Sequence, residues 1–206
     1  MDIILALTKE LNVEKWQIEA AVKLIDEGNT IPFISRYRKE VTGALNDEVL
    51  RNLNDRLTYL RNLEEKKTQV LSSIEEQGKL TEELKKQILE AQTLVVVEDL
   101  YRPYRPKRRT RATIAKEKGL EPLANIILLQ MTDKSLEEEA KAFVSEEKEV
   151  ATVEAAISSA KDIVAESISD KADYRSEIRE RTFRKGMLVS TAKKPEEMSV
   201  YEKYYE

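Results

Sequence analysis

The longest periodic stretch of the chain opens at Asn46 and stops at Gly78, with apolar residues at Leu50, Leu53, Leu57, Leu60, Leu63, Val70, Leu71 and Ile74. Steps of three and four residues place such side chains along one side of a helix, here roughly thirty residues long. A strict heptad seam through 50, 53, 57 and 60 would continue at 64 and 67, where Glu64 and Lys67 stand, and resume at Leu71 and Ile74. The pattern therefore predicts one long spine helix whose two halves bury different faces, a scaffold and not a coiled-coil zipper.

Helix signals recur on both sides of this spine, and the glycines sit where helices should stop. Asp2 caps a first helix to about Leu11, and Asn12 a second whose apolar face is Trp16, Ile18, Ala20, Ala21, Val22, Leu24 and Ile25, closing at Gly28. Thr30 precedes a short helix with Pro32 in its first turn, where the missing N–H is harmless, and Phe33 to Glu40 present Arg36, Arg38 and Lys39. Thr81 starts another helix. Thr93 opens Leu94 to Leu100, where Val95-Val96-Val97 has strand propensity but Glu98-Asp99 and the helical surroundings favour a helix. Further on, Thr113 to Lys118 ends at Gly119, Pro122 opens Leu123 to Gln130, and Ser135 with Glu138 forms a capping box for a helix to about Val144. Thr152 starts one through Ile168, and Asp170 another through Lys185. The expected fold is all-α, an irregular multi-helix domain with a long spine and a helix-turn-helix-like N-terminus. Residues 1–44 hold the N-terminal helices, 45–186 a helical domain, and 187–206 a connector to a domain missing from this chain.

Composition excludes much chemistry. A hydrophobic fraction of 41% in 206 residues suffices for a real core. With no histidine and no cysteine there is no Ser-His or Cys-His nucleophile, no His- or thiolate-bound zinc and no disulfide. The pairs Glu64-Glu65, Glu75-Glu76, Glu82-Glu83 and Glu146-Glu147 are sequence neighbours on expected helices, so they diverge by about 100° and read as solvated faces. Phosphate-loop, dinucleotide and calcium-loop patterns are absent. No catalytic residue, metal, cofactor or small-molecule substrate is therefore expected, and the chain reads as a non-enzyme. Apolar runs such as Ile126 to Leu129 are far below the roughly 20 residues of a membrane span. The start of the chain has no basic leader and no small-residue cleavage site, so no membrane partner is expected and the cytoplasm is the default compartment.

One segment abandons mixed charge. From Asp99 to Leu120 eight bases face two acids, a net of +6 in a chain whose total is −4, so the remainder carries −10. A basic island on an acidic body suits an anionic partner, of which polyphosphate backbones are the commonest. The candidate nucleic-acid-binding residues are Arg102, Tyr104, Arg105, Lys107, Arg108, Arg109 and Arg111. Pro103 and Pro106 push Arg102 and Arg105 toward extended or polyproline II backbone. If that conformation continues, Arg102, Arg105, Arg108 and Arg111 share one edge about 9 Å apart, with Tyr101 and Tyr104 on the next. Guanidinium groups then meet phosphates and the rings stack on unpaired bases, which suits a single strand; single-stranded RNA is the favoured partner, with DNA left open. Two other readings compete: the arginines clamp onto acidic helices of the same chain, or the run is a solvated loop or proline-motif ligand. The first two helices are a poor DNA reader, because Glu14, Glu19, Asp26 and Glu27 outnumber Lys15 and Lys23.

Two stretches carry a family likeness: Glu27 to Gly43, containing Thr30-Ile31-Pro32-Phe33-Ile34-Ser35-Arg36-Tyr37-Arg38-Lys39-Glu40, and Glu98 to Ala124, containing Pro106-Lys107-Arg108-Arg109-Thr110-Arg111-Ala112-Thr113-Ile114-Ala115. They resemble the N-terminal region of the Tex family, bacterial transcription accessory proteins that bind nucleic acid, and the likeness covers essentially the whole chain. Ala44 and Asn46 stand where the family pattern suggests glycine and aspartate, a difference expected to touch only a turn. The resemblance implies a longer protein with an RNase-H-like domain, helix-hairpin-helix modules and an OB-fold RNA-binding domain, the last modules carrying the main nucleic-acid contacts. It implies no catalytic role for this region. An alternative function is a structural or protein-interaction scaffold that organises those domains or docks on the transcription machinery.

Overall fold

The computed structural model describes residues 2–194 and 196–204, and among them the regular structure is twelve α-helices and one 3-10 turn, Glu202–Tyr204, with no strand. The chain divides into two compact units, Met1–Arg105 and Pro106–Glu206, within the stretch read above as one helical domain over 45–186.

The first unit is organised by α5 (Asp47–Glu76), capped by Asn46, whose side chain accepts from Val49 N–H at 2.8 Å. Around it lie α1 (Ile3–Leu11), α2 (Lys15–Asp26), α3 (Ile31–Tyr37), α4 (Lys39–Thr42), α6 (Glu82–Glu90) and α7 (Leu94–Tyr101). The spine buries Leu50, Leu53, Leu57 and Leu60, then Leu63, Lys67, Val70 and Ile74. At 3.6 residues per turn the second set is rotated about 90° from the first, because 57, 60 and 63 follow in two successive steps of three. The halves thus bury different faces. Arg56 and Arg61 tie the spine to Glu10 of α1 and Asp26 of α2, while Lys67 and Ser73 tie it to α6 and α7. The seam does pass through position 67, contrary to a purely apolar reading: Lys67 is only 2% exposed.

The second unit comprises α8 (Arg111–Glu117), α9 (Glu121–Leu129), α10 (Leu136–Lys141), α11 (Val153–Ser169) and α12 (Ala172–Lys185). Its core is made of small and medium side chains, Ala112, Ala115, Leu120, Leu123, Ala124, Ala140, Val150, Ala156, Ala160 and Ile163. The alanines let α8 and α9 pack closely on α11.

Several expected boundaries move. Asn12 does not cap α2; it closes α1 in the left-handed region at φ 52°, which asparagine tolerates, and Glu14 precedes α2 with its N–H bonded to Gln17 Oε1 at 3.2 Å. The helix over Phe33 to Glu40 is broken at Arg38, whose φ of −131° separates α3 from α4. Trp16 is not buried on the apolar face of α2 but 52% exposed, with its indole lying over Gly43. Asp170 ends α11 instead of starting α12. By contrast Asp2, Thr81, Thr93, Ser135 and Thr152 cap where expected, and Val95 to Val97 are helical.

Candidate nucleic-acid interface

The basic segment begins as the end of α7, not as an extended strand. Arg102 N–H bonds the Glu98 carbonyl at 3.0 Å, and this last helical bond holds Arg102 at φ −51°, ψ −41° despite the proline that follows. Pro103 has no N–H to continue the ladder. Tyr104 and Arg105 instead turn back, both donating to the Tyr101 carbonyl at 2.9 and 3.0 Å. The polyproline edge through Arg102 and Arg105 is therefore not formed. Nor do the tyrosines share a solvent edge: both are half-buried against the core of the first unit. Tyr101 Oη lies 2.9 Å from Ser73 Oγ, and the Tyr104 carbonyl accepts from Gln77 Nε2 at 2.9 Å.

Residues 106–110 have no regular structure, and Arg111, expected on the same edge as Arg108, is the first residue of α8. Thr110 caps that helix, accepting from Thr113 N–H at 3.1 Å. This second half of the segment runs beside an acidic stripe on α11. Asp162, Glu166 and Asp170 recur every fourth residue, so they share one helix face. Arg111 pairs with Asp162 at 3.5 Å, Thr110 donates to Glu166 at 3.1 Å, and Lys107 reaches both Glu166, at 3.4 Å, and Asp170. Arg109 pairs with Glu117 on α8 at 2.7 Å. The stripe was legible as an i, i+4, i+8 spacing, but only packing shows that it faces 107–111.

Burial ranks these cations. Lys107 and Asp170 are 29% and 13% exposed at their side chains, so their pair is the least screened of the set. Arg109 and Arg111 are 68% and 85% exposed, and ion pairs at such positions contribute about 0–1 kcal/mol each, little enough for a phosphate to displace the carboxylate. Arg105 and Arg108 are exposed, and neither side chain has an ion pair or hydrogen bond among the described residues. Arg102 is also exposed. Among the described residues no group of three or more metal-ligating side chains gathers, and no helix is long and apolar enough to cross a membrane.

Two family profiles match the sequence: the Tex-like protein N-terminal domain over residues 1–75 and the Tex central region-like family over residues 132–206. The basic segment lies between the two. Among curated relatives, the Bacillus subtilis protein YdcI is 46% identical over 203 residues, 97% of this chain and 28% of the relative. The transcriptional accessory protein Tex of Neisseria gonorrhoeae is 45% identical over 181 residues, 88% of this chain and 24% of that protein. Human S1 RNA-binding domain-containing protein 1 is 33% identical over 136 residues, 66% of this chain and 14% of that protein. The chain thus spans about a quarter of the length of the bacterial relatives it matches. With both profiles and these relatives in agreement over most of its length, the chain belongs to the Tex family of transcription accessory proteins.

Proposed function

We propose that this region binds single-stranded nucleic acid, RNA by preference, without catalysis, as the helical part of a longer cytoplasmic protein that acts in transcription. The observation that carries this reading is the pair Arg105 and Arg108, exposed and unpartnered among the described residues within a segment of net positive charge on an acidic chain. Arg109 and Arg111 add to it once their weak ion pairs give way. The names of the gonococcal and human relatives, a transcriptional accessory protein and an S1 RNA-binding domain-containing protein, point the same way. Fluorescence anisotropy with a labelled oligouridylate across a salt series tests it: Arg105→Gln/Arg108→Gln should reduce the log-log salt slope by about 1.4, since each single-strand phosphate contact contributes about 0.7. An unchanged affinity would overturn it.

A specific observation supports a second reading. Lys107, Arg109, Thr110 and Arg111 all engage carboxylates of their own unit, and Tyr104 packs on the core, as a scaffold role would require. In that case Lys107→Ala would lower the melting temperature while leaving oligonucleotide binding untouched.

A further inference from the structure

Across the spine helix, charge is neutralised: all three arginines of α5, Arg51, Arg56 and Arg61, sit on carboxylates. The junction between α3 and α4 is different. Arg36 and Lys39 are exposed and Arg38 half-buried, and none of the three has an ion pair among the described residues. Glu40 is the only acid between Asn29 and Asn46.

Aromatic rings accompany these cations. Tyr37 is 61% exposed, its ring centroid 5.4 Å from that of Phe33, and the Arg38 guanidinium lies 5.1 Å from the Phe33 centroid. Phe33 thus anchors the array and Tyr37 presents its ring to solvent. The platform is also held in place. Gln17 Nε2 donates to the Thr42 and Gly43 carbonyls, both at 3.1 Å, which fixes α4 against α2 before any ligand arrives.

We propose that the α3–α4 junction is a separate contact for single-stranded nucleic acid, with Arg36 and Lys39 on phosphates and the Tyr37 ring stacked on a base. Unneutralised cations beside an exposed aromatic ring are what a single strand requires, since its charge is spaced along the backbone and each base offers a face. An acidic protein segment would satisfy the cations but does not by itself bring a base face beside each charge for the ring to stack on.

The test uses the 206-residue chain, a labelled oligouridylate and a salt series, with folding of each variant confirmed by circular dichroism. Arg36→Gln/Lys39→Gln should reduce the salt slope by about 1.4, and Tyr37→Ala should weaken binding about five-fold or more at unchanged slope. Photocrosslinking should place uridine on the peptide containing Tyr37. Wild-type affinity in both variants, or no binding by the parent chain, would overturn the proposal. So would competition by polyglutamate at equal charge concentration together with an inert Tyr37→Ala, which would mark a protein-docking surface. Loss of binding in Arg105→Gln/Arg108→Gln alone would leave only the basic segment as an interface.

Discussion

Lys67 Nζ donates to the Leu89 carbonyl at 2.9 Å, so a buried ammonium from the middle of α5 satisfies a carbonyl in the last turn of α6, where no intrahelical N–H remains. The same nitrogen contacts Glu64 Oε1 at 2.9 Å. Burial alone would raise the Glu64 carboxyl, but hydrogen bonding that includes the one from Lys67 brings it below its ordinary value.

Lys67→Met should therefore destabilise the first unit by about 1–3 kcal/mol, since it takes one hydrogen bond from a half-buried carboxylate and leaves a helix-end carbonyl without its donor while keeping side-chain volume. Removing the charge at both positions, in Lys67→Met/Glu64→Leu, should recover much of the loss, because a buried ion pair and a well-packed apolar pair are of similar worth. Urea unfolding of the two variants measures the difference. Equal destabilisation by single and double variants would refute a charge-based account.

Two neighbouring positions should respond with opposite sign. A Cβ on Gly43, at φ 61°, would lie 2.5 Å from Trp16 Cη2 and 2.6 Å from Gln17 Nε2, so Gly43→Ala should cost about 1–3 kcal/mol. Ala44 also adopts a positive φ, 62°, where an L side chain is strained. Ala44→Gly should stabilise by up to about 1 kcal/mol, the relief of strain being partly offset by the freer unfolded chain. Thermal unfolding followed by circular dichroism checks both signs.

Stability of the first unit should fall in acid through Glu10 and Asp26. Hydrogen bonds from Arg56 and Arg61 hold these carboxyls below their usual range, Asp26 through two bonds of 2.7 and 2.8 Å. A folded-state value below the unfolded one contributes stability that is fully present above the unfolded value, about 4, and is lost as pH falls through the lower folded value. The pairs are more than a third exposed, so each should contribute less than about 1 kcal/mol. The stability gap between the parent chain and Arg61→Gln should be constant above about pH 5 and close below it; a gap that persists in acid would argue against the linkage.

Neutralising the acidic stripe should strengthen nucleic-acid binding. Glu166→Gln/Asp170→Asn releases Lys107 for phosphate, so the salt slope should steepen by about 0.7 even as the second unit loses stability. Weaker binding by this variant would mean that the carboxylates position the segment and do not compete with the ligand.

Local chemistry was decided by the sequence. Asp2, Asn46, Thr81, Thr93, Ser135 and Thr152 each place an oxygen within reach of an N–H three residues on, so the helix starts needed no partner to be legible. The run of threes and fours in α5 likewise carried its change of face. The fate of a long charged side chain is not local. Lys67 looked like a solvent-facing break in the seam until α6 supplied a carbonyl, and Arg102 looked extended until Glu98 claimed its N–H. Lys107 and Arg111 found partners 63 and 51 residues away, on α11, while Arg105, Arg108, Arg36 and Lys39 found none. Which cations stay open to a ligand depends on which helix faces come to lie beside them, and only tertiary packing decides that.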